Sequence, residues 1–327
     1  MQSNSVDPFW GPATSYLNFC EEVNHPLVVL CSLIWSSQDH FAYIEIDIKD
    51  YAITRYIAEF INTLSSFVFG MSTPRYADLA NLYDVLTAML SLVLFGVYGL
   101  RQLREKNAAS YRSLLYFGLI GVGVCSAGYH MTLKYHTQMS DELSMHLLTT
   151  PLLYRILTFQ ASSKKTRIVG IVLSLLFVTV MFFHMVLNEF LLHAVTFGTA
   201  VLTIAVRTSK ITAQQVTDPY MKKKLRNISY FGIFCFAFGF FVWLIDGLAC
   251  GLLKDTRHAI GLPLAFLTEL HGWWHILTAI GGYVAVALVD LVTANELNKG
   301  DPIEELAWPI PTAARYIQEW VGPKKEK

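Results

Sequence analysis

The sequence predicts an all-α, polytopic membrane protein built as a bundle of seven transmembrane helices, and three observations predict it. Of 327 residues, 54% are hydrophobic and only 15% are charged, too apolar for an ordinary soluble domain. Apolar stretches of about 20 residues, the length that crosses a hydrocarbon core, recur along the chain. Basic residues gather in every second connection, as expected when Lys and Arg near membrane ends stay in the cytoplasm.

The first span lies upstream in two pieces, at 52–69 and 82–100, and the second covers 113–133. The third to seventh follow at 141–160, 168–187, 189–206, 228–251 and 268–293. Arg101, Arg104, Lys106 and Arg112 separate the first span from the second; Lys164, Lys165 and Arg167 separate the third from the fourth; Lys222, Lys223, Lys224 and Arg226 separate the fifth from the sixth. The alternate connections hold little more than Lys134, Lys254 and Arg257. Seven spans fit this parity and eight do not. Residues 1–51 then form a lumenal N-terminal segment, 52–293 the transmembrane domain, and 294–327 a cytoplasmic tail.

A formal net charge of +0 leaves no basic surface for nucleic acid once the cytoplasmic loops are assigned. The stretch from Met1 to Pro8 lacks the basic and apolar regions of a cleavable signal peptide. The final Lys324-Lys325-Glu326-Lys327 resembles a retrieval signal, consistent with the endoplasmic reticulum or Golgi. Cys125 and Cys235 fall within spans and read as apolar filler. Cys20 and Cys250 lie at the lumenal end, where oxidation is allowed and one bridge between them can form.

Ionisable groups inside a membrane are costly and usually functional. Ser126 and His130 stand one turn apart near the lumenal end of the second span, and Asp141 opens the third. His271 and His275 begin the seventh span, and their i,i+4 spacing puts both imidazoles on one side of a helix. These five side chains share one membrane depth. Zinc favours three protein nitrogens with a fourth position open to water, and it lowers the pKa of that water towards neutrality. Asp141 is suited to orienting the water or taking its proton, and Ser126 to donating a hydrogen bond to a developing oxyanion.

His136, His146, His184 and His193 lack an i,i+4 partner or sit in a loop, and read as ordinary interior or surface residues. Asp246, beside Trp243, reads as part of a polar network near the site. Arg155 and Asp290 lie near cytoplasmic ends, where snorkelling suffices to explain them. Trp273 and Trp274 fit an interfacial belt as well as a substrate wall.

Several segments together resemble the alkaline ceramidases. They are Phe9-Trp10-Gly11-Pro12, Cys20-Glu21-Glu22, Tyr56 to Thr63, His130-Met131-Thr132-Leu133-Lys134-Tyr135, Asp141-Glu142-Leu143 and His271 to Thr278. The resemblance covers the chain from Phe9 to about Leu291. It implies a seven-helix membrane amidase that cleaves ceramide or phytoceramide to a sphingoid base and a fatty acid, with no obligate protein partner. By the same resemblance the zinc ligands are His130, His271 and His275, the catalytic pair is Ser126 and Asp141, and the lumenal disulfide joins Cys20 to Cys250. A calcium ion is implied at Asn18, Phe19, Glu21, Asp50 and Glu59, a hard-oxygen ligand set. The family usually has Asp where this chain has Asn18, and one charge fewer weakens the hold on the ion.

Two segments depart from the family pattern. Val23 to Lys49 separates Glu22 from Asp50, and removing it restores the family's run into the first span. Gly70 to Leu92 splits that span with Pro74, Arg75 and Asp78, residues foreign to lipid. Codons for Val23 and Lys49, and for Gly70-Met71 and Leu92-Val93, are compatible with splice donors and acceptors, so both segments read as translated introns, with genuine lineage-specific loops as the alternative. If 52–69 and 82–100 each spanned separately, Glu21 and Glu59 would fall on opposite sides of the membrane. Such a chain could also be a family member inactivated by mis-splicing. The rival class is a seven-helix receptor of the progestin and adiponectin type, which shares a three-histidine zinc site. The Phe9-Trp10-Gly11-Pro12 motif and the Glu21/Glu59 pattern argue against it.

Overall fold

The computed structural model describes residues 10–16, 91–187, 190–260, 267–297 and 300–321. All regular secondary structure among them is helical: α1 (Ser91–Glu105), a 3-10 turn (Ser110–Arg112), α2 (Ser113–Thr132), α3 (Tyr135–Thr158), α4 (Ser163–Leu187), α5 (Phe190–Gln215), α6 (Pro219–Leu248), α7 (Cys250–Ile260), α8 (Leu270–Thr293) and α9 (Ile310–Val321). Five stretches are long and apolar enough to cross a membrane: Ser110–Thr132, Ser163–Leu187, Phe190–Gln215, Pro219–Leu248 and Leu270–Thr293. The upstream piece of the first span (52–69), the start of its second piece, the surplus segment at 23–49 and all of the other (70–92) except Ser91 and Leu92, which open α1, lie outside the described residues.

The helices extend beyond the apolar stretches that announce them. α4 begins before Lys164 and Lys165, and α6 before Lys222 to Lys224, because helical hydrogen bonding does not stop where hydrocarbon does. Asp218 caps α6 by accepting from the backbone N–H groups of Tyr220 (3.2 Å) and Met221 (3.0 Å), and Pro219, which has no N–H to lose, takes the first helical position. α3 contains Asp141, Glu142, Arg155 and an internal Pro151, so it is long enough to span but less apolar than its neighbours.

The chain divides into two compact units, and the boundary between them falls within α1, α2, α3, α6 and α8. The first unit takes in 122–141 and 237–278 together with the N-terminal residues. There α2 ends on Leu133, whose φ of 50° turns the chain out of the helix, and α3 restarts two residues later. The short N-terminal strap is tied to this turn. Thr14 and Ser15 donate backbone N–H bonds to the Leu133 carbonyl at 3.0 and 3.1 Å. Thr14 Oγ1 accepts from the Tyr135 N–H at 3.0 Å, Gln138 Oε1 accepts from the Tyr16 N–H at 3.1 Å, and Lys134 donates to the Pro12 carbonyl. Ala13 packs on Tyr129 and Leu133. The strap thus satisfies backbone groups that a helix end leaves unpaired, and it fixes the turn that follows His130.

The second unit contains 95–121, 142–236 and 279–321. The latter part of α8 lies at its core, with Val286, Val289 and Val292 fully buried. Close approach is made possible by small residues, as in membrane helix packing. A Cβ on Gly281 would lie 2.8 Å from the Gly232 carbonyl oxygen on α6, and one on Gly99 would overlap the Tyr116 ring. α4 turns its apolar side chains outward, Leu175, Val178 and Phe182 among them, as a lipid-facing helix does.

Arg155 and Asp290 do not snorkel. Asp290 is 2% exposed and accepts from Arg112 Nε (2.9 Å) and Nη2 (2.7 Å) and from Arg155 Nη1 (3.0 Å). Glu296 takes the other edge of the Arg112 guanidinium at 2.8 and 3.0 Å. Two cations and two anions balance, which makes burial tolerable where single charges would have to reach water. Sequence position near a helix end did not reveal that these residues, far apart in the chain, meet one another.

Candidate metal centre

His130 is in the last turn of α2, and His271 and His275 are in the first two turns of α8. All three are buried, at 1%, 3% and 6% exposure. Their rings meet edge to face, with centroids 5.0 Å apart for His130 and His271, 4.9 Å for His130 and His275, and 4.7 Å for His271 and His275. One ligand nitrogen from each lies within 4.8 Å of the other two. The His130 and His275 Nε2 atoms are 3.1 Å apart. Two nitrogens bound to one tetrahedral zinc ion at about 2.0–2.1 Å would be separated by about 3.3 Å, so this donor set fits zinc in kind and spacing.

The helices place these side chains for local reasons. One turn separates His271 from His275, so a single rigid helix face presents both. Gly239 on α6 lets that helix approach α8 beside them: a Cβ there would stand 3.1 Å from Leu277 Cβ and 3.2 Å from Thr278 Cγ2. Trp274 points into this α6–α8 seam, with ring centroids 6.3 Å from both Trp243 and Phe240. Trp273 instead donates its indole N–H to the Leu267 carbonyl at 3.3 Å.

Ser126 is buried on α2, one turn before His130, a spacing that puts the two on one helix face. Asp141 is partly exposed in the second turn of α3, inside the helix rather than at its start. It belongs to the same compact unit as the three histidines and Ser126. Asp246 is buried on α6 in that unit. Cys250, at the start of α7, is disulfide-bonded, while Cys125 and Cys235 keep their thiols outside any disulfide. Cys20 and the expected calcium ligands Asn18, Phe19, Glu21, Asp50 and Glu59 lie outside the described residues.

The sequence reading missed one grouping. Glu142, His184 and His193 come from three different helices, yet each offers a ligand atom within 4.8 Å of the other two, and all are buried. No i,i+4 spacing announces it; the only signal was several polar residues in apolar stretches. His136, by contrast, is exposed, although it sits in the first turn of α3 rather than in a loop.

Comparison with known proteins agrees with this geometry. Residues 45–318 match the Ceramidase family. The chain is 27% identical to the alkaline ceramidase YPC1 of Saccharomyces cerevisiae, an alignment that covers 99% of this chain and 94% of that protein. It is 28% identical to alkaline ceramidase 3 of Mus musculus over 85% of this chain and 84% of that one. It is 25% identical to the putative alkaline ceramidase dcd3B of Dictyostelium discoideum, with 84% and 85% covered. An all-helical chain whose α2 and α8 bring three imidazoles together, matched along most of its length by these proteins, belongs to the alkaline ceramidase family.

Proposed function

We propose that this chain is a zinc-dependent amidohydrolase that cleaves the amide bond of ceramide or phytoceramide to give a sphingoid base and a free fatty acid. The observation that carries the reading is the convergence of His130, His271 and His275 in a buried cluster, in a chain whose relatives are named alkaline ceramidases. Zinc held by these three residues would supply Lewis acidity towards the amide carbonyl and would make a water at the open position acidic.

The protein's own side chains handle binding and protons. Ser126, on the His130 face of α2, donates its hydroxyl proton in a hydrogen bond to the carbonyl oxygen as negative charge develops there. Asp141 takes a proton from the attacking water and delivers it to the departing amine nitrogen, which must be protonated to leave. The outward apolar faces of the spans suit a lipid substrate that enters sideways from the bilayer.

The same reading includes a first span built from 52–69 and 82–100, whose second piece runs into α1, a lumenal N-terminus, a cytoplasmic C-terminus, and residence in the endoplasmic reticulum or Golgi. It further assigns a calcium ion to Asn18, Phe19, Glu21, Asp50 and Glu59, and the bond of Cys250 to Cys20. The receptor alternative is not favoured, because the family match and the alkaline ceramidase relatives point to hydrolysis.

The test is release of labelled fatty acid from ceramide and phytoceramide at alkaline pH, in membranes expressing this chain. A version lacking 23–49 and 70–92 is assayed beside it. Turnover that disappears in His275→Ala and Asp141→Ala, with both variants still reaching the membrane, is the expected result. Activity in the shortened form alone identifies the two segments as intrusions, and equal activity in both forms makes them tolerated loops. Zinc binding without fatty-acid release from either form would refute the hydrolase reading.

A further inference from the structure

Glu142 of α3, His184 of α4 and His193 of α5 gather at a place distinct in sequence from the three-histidine centre, and they belong to the second unit. They are 5%, 1% and 4% exposed. His184 Nε2 is hydrogen-bonded to Glu142 Oε2. The His193 ring lies against His184, with centroids 5.2 Å apart and planes 30° apart. His146, 7% exposed, meets His193 edge-on at 5.0 Å.

A carboxylate–imidazole pair inside a helix bundle can stand as a self-satisfied polar contact, and that explains Glu142 and His184. It does not explain the rest. His193 Nδ1 and His146 Nε2 are buried and make no hydrogen bond, and leaving such a group unmatched carries its full desolvation penalty. Ordinary packing would fill these two positions with apolar side chains at no such penalty. Instead, four ligand-grade residues from three consecutive helices crowd together, and one of the unmatched nitrogens belongs to a residue whose ligand atom is within 4.8 Å of the other two.

We propose that Glu142, His184 and His193 form a second metal site that takes a divalent transition metal of the zinc class. Two imidazoles and one carboxylate are the donor types such ions prefer, whereas calcium and magnesium would want oxygen throughout. His184 lies just before the end of α4 and His193 just after the start of α5. A bound ion therefore clips the α4–α5 connection to α3. Its role is structural, holding three helix ends together, and it does not depend on the hydrolase reading.

Metal content of the purified full-length chain, equilibrated with Zn2+ and freed of excess by gel filtration, tests this directly. The expected counts are two equivalents per chain in the unsubstituted protein and one in His271→Ala/His275→Ala. That remaining equivalent is lost when His193→Gln is added. The proposal is overturned if the unsubstituted chain holds one equivalent that vanishes with His271→Ala/His275→Ala. It is equally overturned if, in the His271→Ala/His275→Ala background, the remaining equivalent survives both His193→Gln and Glu142→Gln, since that ion sits elsewhere. Where His193→Gln prevents folding, Glu142→Gln in the same His271→Ala/His275→Ala background supplies the deciding count. Two equivalents of zinc without fatty-acid release from either the full-length or the shortened form would sink the hydrolase reading and leave this one standing.

Discussion

Replacing Asp290 with Ala should be among the most destabilising single changes outside the metal centre. In the native chain Asp290 accepts from Arg112 at 2.7 and 2.9 Å and from Arg155 at 3.0 Å, with side-chain exposures of 2% for the carboxylate and 6% and 11% for the two guanidinium groups. Removing it leaves Arg112 with Glu296 and Arg155 with no anion from this cluster, so the group carries one uncompensated positive charge. Breaking a buried pair in this way costs about 3–5 kcal/mol. At about 1.5 °C per kcal/mol, the value that an unfolding entropy of about 2.1 cal/mol/K per residue gives for 327 residues, the unfolding midpoint should fall by at least about 4 °C. Thermal unfolding of the detergent-solubilised protein, followed by tryptophan fluorescence, measures it. Asp290→Ala/Arg155→Ala should lose less than the two single variants added together, because removing both members restores the charge balance. A midpoint for Asp290→Ala within about 1 °C of the unsubstituted protein would show that water or lipid headgroups reach the arginines, and would refute the reasoning.

Three further outcomes are expected. Ser126→Ala should lower kcat by about 10²–10³-fold while KM moves little, since the hydroxyl acts on charge present only in the transition state; a change confined to KM would assign Ser126 to substrate binding instead. Gly281→Ala should destabilise by about 1–3 kcal/mol through overpacking, because its Cβ would meet the Gly232 carbonyl oxygen at 2.8 Å and Phe236 Cβ at 3.0 Å, and an unfolding midpoint equal to that of the unsubstituted chain would exclude so tight an α6–α8 contact. Hydrogen bonds from Arg315 and Lys224 hold the Glu304 carboxyl below its ordinary value, so its contribution is present above the usual carboxylate range and lost as pH falls through the lower folded value. Unfolding curves of Glu304→Gln and the unsubstituted chain should therefore converge in acid and separate towards neutral pH, and a separation that grows in acid would reverse the sign of the argument.

Much of the fold is legible in the chain because hydrocarbon imposes one simple demand. A segment must be apolar over about 20 residues and must satisfy its own backbone, and only a helix does both. The stretches at 113–133, 168–187, 189–206, 228–251 and 268–293 therefore appear as α2, α4, α5, α6 and α8. Their ends are less legible. Helices continue into the basic residues that flank the apolar stretches, since Lys and Arg are good helix formers, and apolarity marks only the part suited to hydrocarbon. α3 shows the other limit. Its polar residues, Asp141, Glu142 and Arg155 among them, lower its hydropathy below that of its neighbours.

The polar residues inside these apolar segments sort by how their partners are spaced in sequence. His271 and His275 declare themselves because both ligands lie on one helix, and a helix converts sequence distance into direction. His130 follows once a third nitrogen is sought at the same depth. Arg112, Arg155, Asp290 and Glu296 meet across separations that no periodicity encodes, and each one alone looks like a residue reaching for water. Glu142, His184 and His193 were passed over for the same reason: one came from each of three helices. The rule that a buried charge must be compensated holds for the arginine–carboxylate cluster, and a buried ionisable residue in an apolar stretch asks for a partner in the same way. Which residues become partners depends on helix packing, set by close contacts such as Gly281 against Gly232. An unmatched nitrogen left over after that packing, as at His193 Nδ1, therefore points to a partner from outside the chain.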